Sequence, residues 1–228
     1  MTQLERLLKS IAPLLGSPLQ PRELDGEALW SVDGSEFLCK IGNQSTVCNL
    51  IVSKDWVFDH LSGHSSFPGN YAIYTSPYIA DTRVLNAIVG AIGQTGGKIL
   101  VLTDLDPIGI VQRFVCARNV TAFGSKKISC VSGGVDDAWL QLIEDNIKFD
   151  SIEPILIPLS PGEKRAVEAI LKDGQVIPLL GHKCMQILSS GRKIELEAAT
   201  NVDLYKEGYS EILWGMFMER AERVAPLP

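Results

Sequence analysis

Residues 98–109 read "KILVLTDLDPIG". An apolar run from Ile99 to Leu102 ends in Asp104 and Asp106, with Pro107 and Gly109 directly behind. A short run of this kind, bounded by turn residues, has the pattern of a buried strand. In an extended segment residues i and i+2 point to the same side, so both carboxylates can face one hard cation. Mg2+ takes oxygen ligands and is commonly held by one or two carboxylates. The alternative is turn chemistry. Asp ahead of Pro and Gly turns the chain, and one aspartate then caps the following helix.

Outward from this stretch, strands and helices alternate. "EFLCKI" (36–41), "YAIYTS" (71–76), "KILVLT" (98–103) and "KISCVS" (127–132) read as four strands. Between them "QSTVCNLIVSKDWVFDHL", "DTRVLNAIVGAIGQ" and "IGIVQRFVCARN" read as helices. That alternation implies right-handed crossovers and an α/β fold, a four-stranded, mostly parallel sheet with helices on both faces. Residues 1–34 form an N-terminal amphipathic helix and a loop, residues 35–134 the sheet domain, and residues 135–228 a helical extension packed on it. Within the extension Ser160 and Pro161 mark a helix start. The C-terminal helix, with Trp214, Met216, Phe217 and Met218, carries more apolar surface than one face needs, so it either seats a second chain or packs on the core.

The chain has 228 residues and a net charge of −6. Bulk electrostatics therefore disfavour nucleic-acid binding, and contact with DNA requires a local basic patch, bridging metal ions or a partner. The five cysteines are odd in number and lack CxxC spacing, the pattern of reduced core residues in a cytoplasmic protein. No apolar run is long enough to cross a membrane.

The strand–helix order with "TDLDPIG" resembles the Toprim domain of topoisomerase VI A subunits and meiotic double-strand-break proteins, and a related domain occurs in Wadjet-type nuclease subunits. The segment "IPLSPGEKRAVEAILKDG" and the Lys-x-Glu-x-x-Ala signature at Lys193, Glu195 and Ala198 are similar to that family in order. The resemblance implies Mg2+ at Asp104 and Asp106, cleavage of DNA phosphodiesters, and action on DNA within a complex. It also implies a glutamate at the end of the first strand. With 36–41 as that strand, Gly42 stands there, and Glu36 lies about 20 Å away at 3.3 Å per residue. Only a short segment precedes the strand, too short for the family's winged-helix tyrosine domain. Two readings follow, a Mg2+-dependent strand-cleaving enzyme or an inactive structural or regulatory subunit of a DNA-processing or defence complex.

Arg113, Arg118, Lys126, Lys127 and Lys193 are the basic residues able to hold a DNA backbone if they converge near Asp104. Asp136 and Asp137, after the fourth strand, are placed to approach the same site. Tyr71, Tyr74 and Tyr78 read as packing residues. His182 beside Cys184, and His60 and His64, read as plain surface residues more than as a nucleophile pair.

Overall fold

The computed structural model describes residues 22–24, 27–32, 35–41, 48–63, 68–75, 97–113, 128–172 and 180–223. Its centre is a seven-stranded sheet in the order β1-β2-β3-β5-β4-β6-β7. The strands are β1 (Arg22–Leu24), β2 (Glu27–Val32), β3 (Ser35–Ile41), β4 (Cys48–Val52), β5 (Tyr71–Thr75), β6 (Gly97–Leu102) and β7 (Ile128–Ser132). β5, β4, β6 and β7 are parallel. β1, β2 and β3 continue the sheet antiparallel beyond β5.

The α/β class and a four-stranded parallel set are present, but the membership of that set differs from the expectation. Residues 36–41 run antiparallel to β5. The missing parallel strand is β4, within the segment expected to be helical. Cys-Asn-Leu-Ile-Val is too short for a helix and is buried at every position, and a short buried run does not reveal its period. The loop expected before residue 35 contains β1 and β2. Leu24 pairs with Glu27 and Val32 with Ser35, so each hairpin leaves two residues between its strands. Both pairs are Asp-Gly, a favoured two-residue hairpin sequence.

Cys48, Leu50, Val52, Tyr71, Ile73, Leu100 and Leu102 join one apolar cluster. Ile51, Ala72, Tyr74, Ile99 and Val101 alternate with them and are equally buried, as expected where both faces of a parallel sheet are covered. The helices that position the site are α1 (Asp55–Gly63), α2 (107–113), α3 (Asp137–Asn146), α4 (Pro161–Ile170), α5 (His182–Ser189), α6 (Leu196–Thr200) and α7 (Tyr209–Arg223). A ribbon of β8 (Ile157–Pro158) and β9 (Arg192–Lys193) lies among them. Ser160 caps α4 in a full capping box with Glu163, and Pro161 opens the helix. On α7, Leu213, Trp214, Phe217 and Ala221 are buried in the main cluster, and Met216 and Met218 pack against it. The apolar surplus of this helix goes largely into the core. Among the described residues no helix is long and apolar enough to cross a membrane.

Candidate functional site

Val52 and Leu102 are partners at the carboxyl ends of β4 and β6. Two residues beyond each lie Lys54 and Asp104, so the parallel register sets the two side by side. Ligands in open α/β sheets bind outside these strand ends. A third segment closes on them. The Leu105 N–H donates to the Ile194 carbonyl at 2.8 Å, and the Ile194 N–H donates back at 3.4 Å. That bridge delivers Glu195, Leu196 and Glu197 to the same edge.

The Lys54 Nζ stands 3.1 Å from Asp104 Oδ2, 3.4 Å from Glu195 Oε2 and 2.5 Å from Glu197 Oε2. The other oxygen of Asp104, Oδ1, accepts the Leu196 N–H at 2.7 Å. Lys193 extends the array, lying 3.1 Å from both Glu195 and Glu163. Burial pushes the Asp104 carboxyl above its ordinary range, and the Leu196 N–H and Lys54 offset only part of this. Burial works against the Lys54 charge, but Glu197 and Asp104 outweigh it and hold the ammonium above its usual value. Glu195 is held low: burial opposes its charge, and Lys193 and Lys54 prevail.

The two aspartates of the motif divide their work. Asp106 is buried, and its Oδ1 accepts the Gly109 N–H at 2.6 Å, which caps the start of α2. Gly109 lies so close to Asp104 that an added Cβ would collide with the Asp104 carbonyl oxygen. Pro107 occupies the first turn, where its missing N–H costs nothing. Of the two carboxylates, that of Asp104 is engaged with the cluster and that of Asp106 with the turn.

Other expected residues are placed elsewhere. Arg113 is 5% exposed and presents no guanidinium to a phosphate backbone. Lys193 is ion-paired within the cluster. Asp136 caps α3 through the Trp139 N–H and pairs with Arg220. Asp137 accepts the N–H groups of Lys183 and Cys184 at 3.1 and 2.8 Å, capping α5. The Cys184 thiol is fully buried and pushed well up by that burial, which works against a thiolate nucleophile there. His60 stacks on Trp56 at 4.9 Å, and its Nε2 accepts the Val202 N–H at 3.4 Å. Tyr71 and Tyr74 are core residues whose phenols burial pushes up. Gly42, His64, Tyr78, Arg118, Lys126 and Lys127 lie outside the described residues. Gly42 follows an antiparallel strand, so it is not the residue at the carboxyl end of the first parallel strand. That place belongs to Ser53 and Lys54.

Sequence reasoning missed Lys54 and Glu197. The signal for Lys54 was the abrupt change from "CNLIV" to "SKD", a strand exit resembling that of "KILVLTD". Among the described residues no three His, Cys, Asp or Glu side chains stand together as a metal-chelating group. The carboxylates are instead spread around an ammonium.

No protein-family model matches the chain, and no curated protein matches it. Solved structures similar to it include the following three. A protein described as a lipase from Acinetobacter baumannii AYE is 13% identical with a TM-score of 0.28, over 93% of this chain and 75% of that one. An N-acyl homoserine lactonase mutant complexed with N-hexanoyl homoserine is 9% identical with a TM-score of 0.27, over 91% and 71%. An α/β hydrolase from Novosphingobium aromaticivorans DSM 12444 is 13% identical with a TM-score of 0.30, over 89% and 78%. Likenesses this weak carry no argument for a hydrolase activity. The Toprim assignment is corrected all the same. The topology carries the correction: the strand taken as first is antiparallel, the first parallel strand is Cys48–Val52, and the three structures above are described as a lipase, a lactonase and an α/β hydrolase. With that assignment go the expected topoisomerase-type or nuclease activity and its inactive-Toprim alternative.

Proposed function

We propose that the carboxyl-edge cluster is the functional site of this chain, and that it binds a hard divalent cation, Mg2+ first among them, by displacing Lys54. One observation carries this reading. Carboxylate oxygens of Asp104, Glu195 and Glu197 converge on a single ammonium at 3.1, 3.4 and 2.5 Å. The three do not stand together as a chelating group while Lys54 is among them, so they would have to close on the ion once the lysine leaves, and an all-oxygen donor set suits Mg2+ or Ca2+ rather than a softer ion. Lys54 sits on a flexible four-carbon stem and is 24% exposed, so it has a path to solvent. The bound ion would supply open positions for an oxygen-rich small ligand.

The test is titration calorimetry of Mg2+ and Mn2+ into the wild-type chain, Lys54→Met and Asp104→Asn. The expected result is saturable binding in the wild type, tighter binding in Lys54→Met and none in Asp104→Asn. Silence in both the wild type and Lys54→Met would overturn the reading. A second reading is favoured by the full ion pairing of Lys54, whose ammonium is held above its usual pKa by Glu197 and Asp104. Here the lysine is a permanent internal cation and the site works without metal. That reading expects the silent result, together with a destabilised Lys54→Met.

A further inference from the structure

We infer that Arg113 is the positioning residue of the carboxyl-edge site, fixing the Asp104 backbone against the loop after β7. The inference rests on the cluster being the functional site. Arg113 projects from α2 into the space between the exits of β6 and β7. Its Nε donates to Thr103 Oγ1 at 2.5 Å. Its Nη2 reaches the carbonyls of Thr103 at 3.4 Å, Asp104 at 3.3 Å and Val135 at 3.1 Å.

The way this buried cation is used separates it from ordinary packing. Among the described residues no carboxylate lies within ion-pair distance of it, and its Nη1 has no hydrogen-bond partner. Burying a guanidinium under those terms is costly. In return, two strand exits are joined at their main chains. Gly134 lies against the flat guanidinium, where an added Cβ would collide with Nη2, Cζ and Nε. A second arginine, Arg220 of α7, holds the other acceptors of the loop: the carbonyls of Gly133 at 3.3 Å and Gly134 at 3.2 Å, and Asp136 Oδ1 at 2.5 Å. Only Arg113 of the two touches Asp104. With the Asp104 carbonyl held by Arg113, the carboxyl of the same residue is aimed at the Leu196 N–H and at Lys54.

The readout is the Leu196 amide in 15N–1H spectra of the full chain, because a charge-assisted bond to a carboxylate moves that proton downfield and protects it from exchange. Arg113→Lys keeps the charge but loses the fork. Gly134→Ala keeps Arg113 and displaces its guanidinium. Each is expected to move the Leu196 signal upfield and speed its exchange by about tenfold. Arg220→Gln loosens the same loop, so it is expected to lower the urea midpoint and leave the Leu196 signal in place. A Leu196 signal unchanged in Arg113→Lys and Gly134→Ala would overturn the inference, as would an equal shift in Arg220→Gln. No metal is added, so failure of cation binding and failure of Arg113 to position Asp104 give separate results.

Discussion

Replacing Lys54 by methionine keeps the stem and removes the charge that three carboxylates surround. The nearest contacts are 2.5 and 3.1 Å, and at an effective dielectric near 20 they are worth about 7 and about 5 kcal/mol of gross attraction. Desolvation and ordering of the side chains cancel most of that. Breaking a buried pair costs about 3–5 kcal/mol, and an exposed pair is worth about 0–1 kcal/mol. Lys54 and Glu197 are 24% and 36% exposed, while Asp104 is 13% exposed, so solvent screening places the loss between these limits, at about 2 kcal/mol. With a urea m-value of about 3 kcal/mol/M, the midpoint falls by about 0.7 M. Asp104→Asn preserves the acceptor for the Leu196 N–H and removes only charge, so in the double variant part of the loss returns as a coupling of about 1 kcal/mol. If the vacated cluster binds Mg2+, an ion concentration of 100 Kd restores about 2.7 kcal/mol to Lys54→Met and nothing to the double variant. A Lys54→Met midpoint equal to wild type, or strictly additive single variants, would refute the charge reasoning.

Three further outcomes are expected. Gly109→Ala drives a Cβ into the Asp104 main chain, which has no side-chain freedom to yield, so urea unfolding should show a loss of about 3 kcal/mol, the upper end for overpacking. Glu163 is held down to about 2 from an ordinary 4.5, first by the Ser160 N–H and then by Lys193 among its other partners. A depressed carboxyl stabilises above its unfolded pKa, so this contribution is lost as pH falls from 4.5 towards 2, and Glu163→Gln should flatten that limb of the stability–pH profile. Tyr209→Phe removes a hydroxyl that donates to the Ala199 carbonyl at 2.7 Å and accepts the Trp139 Nε1–H at 3.2 Å. It should cost about 1–3 kcal/mol in thermal or urea unfolding, because the buried indole N–H is left unsatisfied.

The parts of the fold legible in the sequence are those whose period or caps are local. β6 announces itself by an apolar run closed with Asp and Pro, and α4 by Ser160, Pro161 and Glu163 in capping order. β4 was not legible, because five buried residues ahead of an amphipathic helix merge with it into one long apolar segment. That one error displaced the first parallel strand and put Gly42 where Ser53 and Lys54 belong. β1 and β2 were hidden differently. They fall in a segment rich in Gly, Pro and Ser that reads as a loop, and they lack the long apolar runs that mark a buried strand. The site itself required tertiary facts. Asp104 was found from its position after a strand, whereas Glu197 and Leu196 reach it only through the Leu105–Ile194 bridge, whose residues are far apart in the chain.

The motif "DLDPIG" divides into a turn and a single acid. The turn is formed by three of its residues, and Asp104 is left to the cluster. Asp106, Pro107 and Gly109 satisfy the turn: a cap, a first helical residue without an N–H, and a position where only hydrogen fits beside the Asp104 carbonyl. The Asp106 carboxylate is engaged in that turn through the Gly109 N–H, while the Asp104 carboxylate is engaged by the Leu196 N–H and Lys54. Asp104 is left as a single, mostly buried acid at the sheet's carboxyl edge, with burial raising its pKa against the pull of Leu196 and Lys54. A buried carboxylate is expensive to keep unless something draws on its charge. Lys54 does so in the described structure. The competition between that lysine and a divalent ion for the same oxygens is thus the question on which the chemistry of this chain turns, and the Lys54→Met and Asp104→Asn cycle with and without Mg2+ measures both sides of it in one set of unfolding curves.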